Sequence, residues 1–326
     1  MIKAFFGSKK WALWAYGGGL LIVVLLYGQV ELAVILNSWR KEFGDLLQEA
    51  TKHPVDEFWA LLLRFMYIVM PWVVVAMFTA YFSRLYAFRW REAMTFSYIP
   101  RLREATQKIE GESQRVQEDA KNFANIVESM GKEVVRALMT LIAFGPILWG
   151  LSIKVDLAII KDIPGSLFWI ALATSVGGTA ISWLVGIKLP GLEYNNQVAE
   201  AAFRKELVLA EDDKINFGSV PTLSYLFTGI RFNYHRLFLH YGYFDLWANS
   251  YGQIMVIAAY VAMGPALFTG AIMLGTLHQV ASAFDEVHSS FSIFVNNWTR
   301  ITELRSIWRR LHEFEANLDL HQPKSS

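Results

Sequence analysis

Glutamates are the residues whose types and spacing could do chemistry in this chain. The stretch Glu110-Gly-Glu-Ser-Gln-Arg-Val-Gln-Glu-Asp119 carries them beside Arg115, and nothing breaks helical periodicity before Pro146, which lies inside a strongly apolar run. A charge taken into hydrocarbon costs about 2.5–3.5 kcal/mol on the most lenient scale, so acids on a helix bound for a bilayer face water or a partner. Such groups take up and release protons, or hold cationic groups, because a low dielectric raises a carboxyl pKa toward neutrality. At about 100° per residue, Glu110 and Glu128 share one azimuth on an unbroken helix, with Glu118 about 80° away at intermediate height. Glu193, Glu200 and Glu211 fall within about 20° of one line if a single helix follows Gly191. Glu31 and Arg64 lie within apolar runs. For any single acid the ordinary reading is a solvated helix face, with Arg115 pairing Glu118 or Asp119, and Glu200 pairing Arg204, at helical spacing.

The elements that must position these acids are membrane helices. The 326 residues are 54% hydrophobic and only 18% charged, below the charge of an ordinary soluble chain. Twelve Trp and thirteen Tyr suit two membrane–water interfaces. Six segments reach the length of about 20 apolar residues that a bilayer core requires: 11–36, 58–82, 134–153, 167–189, 240–263 and 266–294. The first begins after Lys3, Lys9 and Lys10 and is too long for a signal-peptide core, so it reads as an uncleaved span. Placing the N-terminus inside puts 23 of the 30 Lys and Arg on the inner side and 5 in the outer loops. That bias predicts an even number of spans with both termini cytoplasmic.

The two inner connections, 84–133 and 188–239, are long and helix-like. Leu102, Thr106, Ile109, Ser113, Val116, Ala120, Phe123, Val127, Met130 and Val134 recur in alternating steps of four and three, a seam for close helix packing. These helices are expected to project beyond the bilayer, with a break at Pro100. Leu189-Pro190-Gly191 predicts a kink, 216–221 a loop, and Thr222 an N-cap. Gly264-Pro265 predicts a tight turn between spans five and six. Residues 1–320 therefore form a single transmembrane domain, followed by a frayed tail at 321–326.

Other chemistries find little support. A near-neutral charge balance speaks against bulk nucleic-acid binding, and a chain without cysteine has no thiolate site. There is no G-x-x-x-x-G-K-[ST] loop with which to hydrolyse ATP. His235 and His240 are poorly spaced for a shared metal. His278 and His288, flanking Asp285 and Glu286, are either proton-relay candidates or interfacial residues. No nucleophile–base pattern indicates an enzyme, and neither a cofactor nor a metal is expected.

Several ungapped blocks occur in order: Phe88-Arg-Trp-Arg91, Ile109-Glu-Gly111, Gln114-Arg-Val-Gln-Glu-Asp119, Met139-Thr-Leu-Ile-Ala-Phe144, Val185-Gly-Ile-Lys-Leu-Pro-Gly-Leu-Glu193, Glu200-Ala-Ala, Arg204-Lys-Glu-Leu-Val208, Glu211-Asp-Asp213 and Asn296-Asn-Trp-Thr299. In these the chain resembles the SbmA/BacA peptide-antibiotic transporters of bacterial inner membranes, relatives of ABC-exporter transmembrane domains. The resemblance implies an all-α homodimer with an exporter-like arrangement of long helices and no nucleotide-binding domain. It implies proton-coupled uptake of peptides and peptide-like antibiotics through a cavity lined by Glu31, Glu110, Glu118, Glu128, Glu193, Glu200, Glu206 and Glu211, with Arg115 as an ion-pair partner. Longer members carry a further N-terminal hydrophobic segment ahead of the first span here. The rival expectation is the membrane subunit of an ABC-type transporter driven by a separate ATPase chain. The expected partners are a second copy of the chain, peptide substrates, protons and membrane lipid.

Overall fold

A computed structural model describes residues 1–105, 112–155 and 162–320, and every regular element among them is helical. We label the helices α1 (Ile2–Phe6), α2 (Gly19–Gln48), α3 (Val55–Glu104), α4 (Ala120–Leu151), α5 (Ser166–Gly186), α6 (Leu189–Asp212), α7 (Val220–Phe268), α8 (Leu274–Asn296) and α9 (Trp298–Leu320). A π-helical turn, Leu13–Gly18, leads into α2, and a second, Arg115–Asp119, leads into α4. Five helical stretches are long and apolar enough to cross a membrane: Leu13–Gln48, Val55–Glu104, Glu112–Lys154, Ser166–Asp212 and Val220–Phe268. The 50 residues of α3 extend about 75 Å at 1.5 Å per residue, more than twice a hydrocarbon core of about 30 Å.

The boundaries differ from expectation at four places. Pro100 lies inside α3, which ends at Glu104 where Ala105 turns extended. The four-and-three seam is therefore split: Leu102 ends one helix, while Val116, Ala120, Phe123, Val127 and Met130 belong to the next, and Thr106 and Ile109 lie outside the described residues. Gly264-Pro265 makes no turn, because α7 runs through it to Phe268. The helix stops instead at Gly270, φ +75°, where Gly270 N–H donates to the Leu267 carbonyl and Ala271 N–H to that of Ala266. This is a Schellman stop, which requires the left-handed conformation that glycine adopts without penalty. Ser219 rather than Thr222 caps α7, its Oγ accepting the Thr222 N–H at 3.3 Å. Ser219 occupies the position before the first turn, where an unpaired N–H needs an acceptor. The expected kink at Pro190 is present as the junction between α5 and α6, with the proline in the first turn of α6.

The expected sixth span, 266–294, divides between the end of α7 and α8. At 23 residues, α8 stands outside the five long apolar helices. It carries His278, Asp285, Glu286 and His288, but it buries Leu277, Val280, Ala283, Phe284 and Val287 on one face. That face packs on α2 and α4.

The chain divides into two compact units: Met1–Ala173 with Ala258–Ser326, and Thr174–Ile257. The first unit has two cores. One gathers Phe5, Tyr86, Trp90, Tyr98, Phe123, Ile307, Leu311, Phe314 and Leu318, with Phe5 stacked on Trp90 at 5.4 Å and Trp90 edge-on to Phe123 at 5.8 Å. The other gathers Phe144, Leu148, Leu167, Met263, Val280 and Phe284. Polar ties run between its helices: buried Gln29 donates to Thr79 Oγ1 at 2.6 Å, and Asn37 to the Gln279 carbonyl at 2.9 Å. In the second unit Trp247 stacks on Tyr251 at 5.6 Å, and the Trp247 ring nitrogen donates to Ser182 Oγ at 2.8 Å.

Close approach of α2 and α8 depends on two glycines. A Cβ on Gly275 would stand 1.8 Å from the Lys41 carbonyl oxygen, and one on Gly44 would stand 2.6 Å from Gly275 Cα. Gly275→Ala is therefore expected to destabilise by about 1–3 kcal/mol through overpacking, read as a lower thermal midpoint in detergent. Gly131→Ala, whose Cβ meets nothing within 4 Å, should leave the midpoint unchanged or raise it. Equal midpoints for the two variants would contradict the close contact.

Candidate functional site

Carboxylates on the helix that begins at Glu112 meet very different surroundings. Glu110 lies outside the described residues. Glu118 is exposed and accepts a long hydrogen bond, 3.4 Å, from the Gln114 amide. Glu128, on the part of α4 that packs on α3, keeps only 9% of its side chain exposed. Its Oε1 is buried without a hydrogen-bond partner, and the Lys132 ammonium stands 3.6 Å away on the next turn. The Tyr86 phenol of α3 lies within its electrostatic reach. Trp90 opposite Phe123 sets the antiparallel register, which brings Glu128 level with Tyr86. Glu128 Oε1 thus faces the Lys132 ammonium beyond hydrogen-bond distance, in a place largely shut off from solvent.

The shared azimuth of Glu110 and Glu128 required one regular helix, and the chain departs from that between them. Arg115–Asp119 winds as a π turn. Such a turn holds more residues than an α turn, so it rotates everything after it relative to everything before.

Arg115 resolves the choice of partner that sequence left open. Its Nη1 donates to Asp119 Oδ2 at 2.7 Å. Asp119, 1% exposed, is also gripped from α9: Arg310 Nε donates to Oδ2 at 3.0 Å and Nη2 to Oδ1 at 2.6 Å. Both oxygens of this buried carboxylate thus meet guanidinium donors, one of them in the bidentate form that gives Arg its specificity. Sequence reasoning passed over Asp119 as a pathway residue and did not find Arg310. One signal was available: Asp119 sits between Val116 and Phe123 at helical spacing, on the apolar seam, and a charge on a core face demands a partner. No local pattern marks Arg310, which is distant in the chain.

Glu31 is half-buried midway along α2, beside Tyr27 one turn earlier. Arg64, singled out for its place in an apolar run, forms an ion pair with Glu42 and so ties α3 to α2. In the second unit Glu193, Glu200 and Glu211 do share the unbroken helix α6. Glu193 is half-buried within reach of Tyr241, whereas Glu200 and Glu211 are exposed. Glu206 accepts the Gly218 N–H at 2.9 Å and so holds the α6–α7 loop. Asp213 organises that loop too, accepting from the Asn216 side chain at 2.7 Å and from the Asn216 and Ile215 N–H groups at 3.2 and 3.0 Å. Those bonds hold its carboxyl below the usual range. No group of three or more His, Asp or Glu suited to a metal occurs among the described residues.

Five helical stretches long and apolar enough to cross a membrane define a multi-pass membrane protein. The chain belongs to the SbmA/BacA-like family, whose model matches residues 8–319. It is 26% identical over 316 residues, 90% of the chain, to the inner membrane ABC transporter ATP-binding protein YddA of Escherichia coli. It is 28% identical over 254 residues, 73% of the chain, to ABC transporter D family member 2, chloroplastic, of Arabidopsis thaliana. A Synechocystis ABC transporter ATP-binding protein is 24% identical over 98% of the chain. The matched regions amount to 56%, 34% and 49% of those relatives' lengths.

Two outcomes follow from these contacts. Asp119→Ala leaves two guanidinium groups without their anion; because Arg310 is partly solvated, the loss is expected at about 2–3 kcal/mol, with Arg310→Lys losing part of it. Thermal midpoints of the purified variants check both. The α6–α7 loop should loosen in acid: the depressed Asp213 carboxyl contributes order above its unfolded pKa of about 3.9, and that order is lost as pH falls through the lower folded value. Hydrogen exchange of residues 213–219 across that range reads it.

Proposed function

We propose that the chain is a proton-gradient-driven secondary transporter that imports peptides and peptide-like antibiotics across the bacterial inner membrane. In this reading it works as a homodimer with six spans per protomer, cytoplasmic helical extensions and both termini in the cytoplasm. The observation that carries it is Glu128, a carboxylate nine-tenths buried whose Oε1 makes no hydrogen bond and faces the Lys132 ammonium at 3.6 Å, on a helix long enough to span the bilayer. In this reading Glu128 is shut away in one state and reached by water or a cation in another. That difference between two states is what couples a gradient to a conformational change. Glu31 and Glu193, half-buried, extend the pathway, while the exposed Glu118, Glu200 and Glu211 attract cationic substrate. Glu206 holds the α6–α7 loop, and Arg115 holds Asp119. Glu110 completes the set through the family resemblance.

One observation favours a second reading. Two of these relatives are named ABC transporter ATP-binding proteins, and the third is an ABC transporter D family member. On this reading it is the membrane subunit of an ABC-type transporter powered by a separate ATPase chain.

Peptide accumulation in proteoliposomes, with and without an imposed inward proton gradient, separates the two. The first reading expects uptake that collapses with an uncoupler and needs no nucleotide. Uptake only with ATP and a co-purified ATPase supports the second. Glu128→Gln is expected to insert and fold normally yet reduce gradient-driven uptake to the level of empty liposomes; full activity in this variant would sink the role given to Glu128.

A further inference from the structure

We propose that α9 is a releasable strap that sets the rotation of the Glu128-bearing helix through the Asp119–Arg310 pair. The consequence for transport rests on the function proposed above; the device itself does not.

Helix α9 lies along the first core and buries Ile307, Leu311, Phe314 and Leu318 at spacings of four, three and four. Its opposite face is charged and exposed, with Arg309 paired to Glu313 at 3.0 Å. Polar ties hold it at successive levels. Asn297 donates to Glu133 of α4 at 2.6 Å, with Arg300 3.7 Å from the same carboxylate. Arg310 grips Asp119. Glu315 receives the Tyr98 hydroxyl at 2.9 Å and the Met1 amine, and Asp319 pairs with Arg101. The strap therefore joins the chain's first residue, the end of α3, and the start and middle of α4.

Water can replace these ties, because most have a solvated member: side-chain exposure is 71% at Asp319, 36% at Arg310 and 24% at Glu315. Asp119 is different. It is buried, and it is the last residue of the π turn Arg115–Asp119. A π turn is an uncommon winding that can revert to α, which turns the following helix about its own axis. Arg115, at the start of the turn, and Arg310, from the strap, hold that winding through one carboxylate. Losing Arg310 removes the outside grip, and rewinding rotates Ala120 and everything after it, including Glu128 nine residues on. Asp119 and Arg310 are thus positioning residues for Glu128.

The absence of cysteine allows a clean test. Arg101→Cys with Asp319→Cys, joined by a short thiol-cleavable bifunctional reagent, locks the strap near its end without touching Asp119. The uncross-linked double variant should take up peptide, the cross-linked protein should stop, and reduction should restore it. Hydrogen exchange of residues 112–135 provides a readout that does not depend on transport. Cross-linking should slow it, and Arg310→Gln should speed it, each by about tenfold or more if opening is sub-global. A strap that serves only as packing would leave uptake and exchange unchanged by the cross-link, which overturns the proposal. If the protein takes up nothing under any gradient, the exchange result still decides: slowing supports the strap and assigns the failure to the transport reading, and no slowing rejects the strap.

Discussion

A backbone in hydrocarbon must satisfy its own N–H and C=O groups within each segment, and the rest of this molecule depends on that constraint. It explains why the apolar stretches are helical and why Pro71, Pro146 and Pro265 lie within helices instead of ending them. A proline costs one helical hydrogen bond, yet ending a helix at the same point would expose several polar groups. Chain reversals are then confined to places where caps are available: the Schellman stop at Gly270, the Ser219 cap, and the loop ordered by Asp213 and Glu206.

That hierarchy accounts for how much of the structure could be read from sequence. The apolar runs were legible because length and hydropathy alone define a span, as was the junction at Pro190, where proline enters the first turn of a new helix. The helix end near Pro265 was misplaced because the soluble-protein rule, proline as breaker, gives way to the backbone constraint, while α3 ends four residues after Pro100. The last apolar run, expected as a sixth span over 266–294, divides between the end of α7 and α8, which presents Leu277, Val280, Phe284 and Val287 to α2 and α4, with glycines at 44 and 275 closing the gap.

The candidate site was legible in part. Glu128 could be singled out because its position near the bilayer follows from counting along one helix, and the structure finds it desolvated. The justification through Glu110 was weaker, since it assumed regular winding across a stretch that contains a π turn. That turn has no local propensity signature. The Asp119–Arg310 pair was invisible because its members are 191 residues apart, and only the tertiary fold brings α9 against the π turn.

The two buried acids of this helix divide the work that one could not do. Asp119 is fully compensated by two guanidinium groups, so its charge is fixed and its gain from protonation is small. Glu128 is compensated only loosely: its Oε1 makes no hydrogen bond and meets an ammonium at 3.6 Å. The proposed transport needs both kinds of group. A carboxylate that changes protonation must stay energetically undecided, and an undecided charge cannot also anchor the helix that carries it. Anchoring by a separate, saturated carboxylate about two and a half turns earlier leaves Glu128 free to respond to its surroundings while its rotational setting is held. The same division explains why a row of glutamates need not be equivalent to be cooperative: Glu206 and Asp119 hold structure, and Glu128 is left unsatisfied.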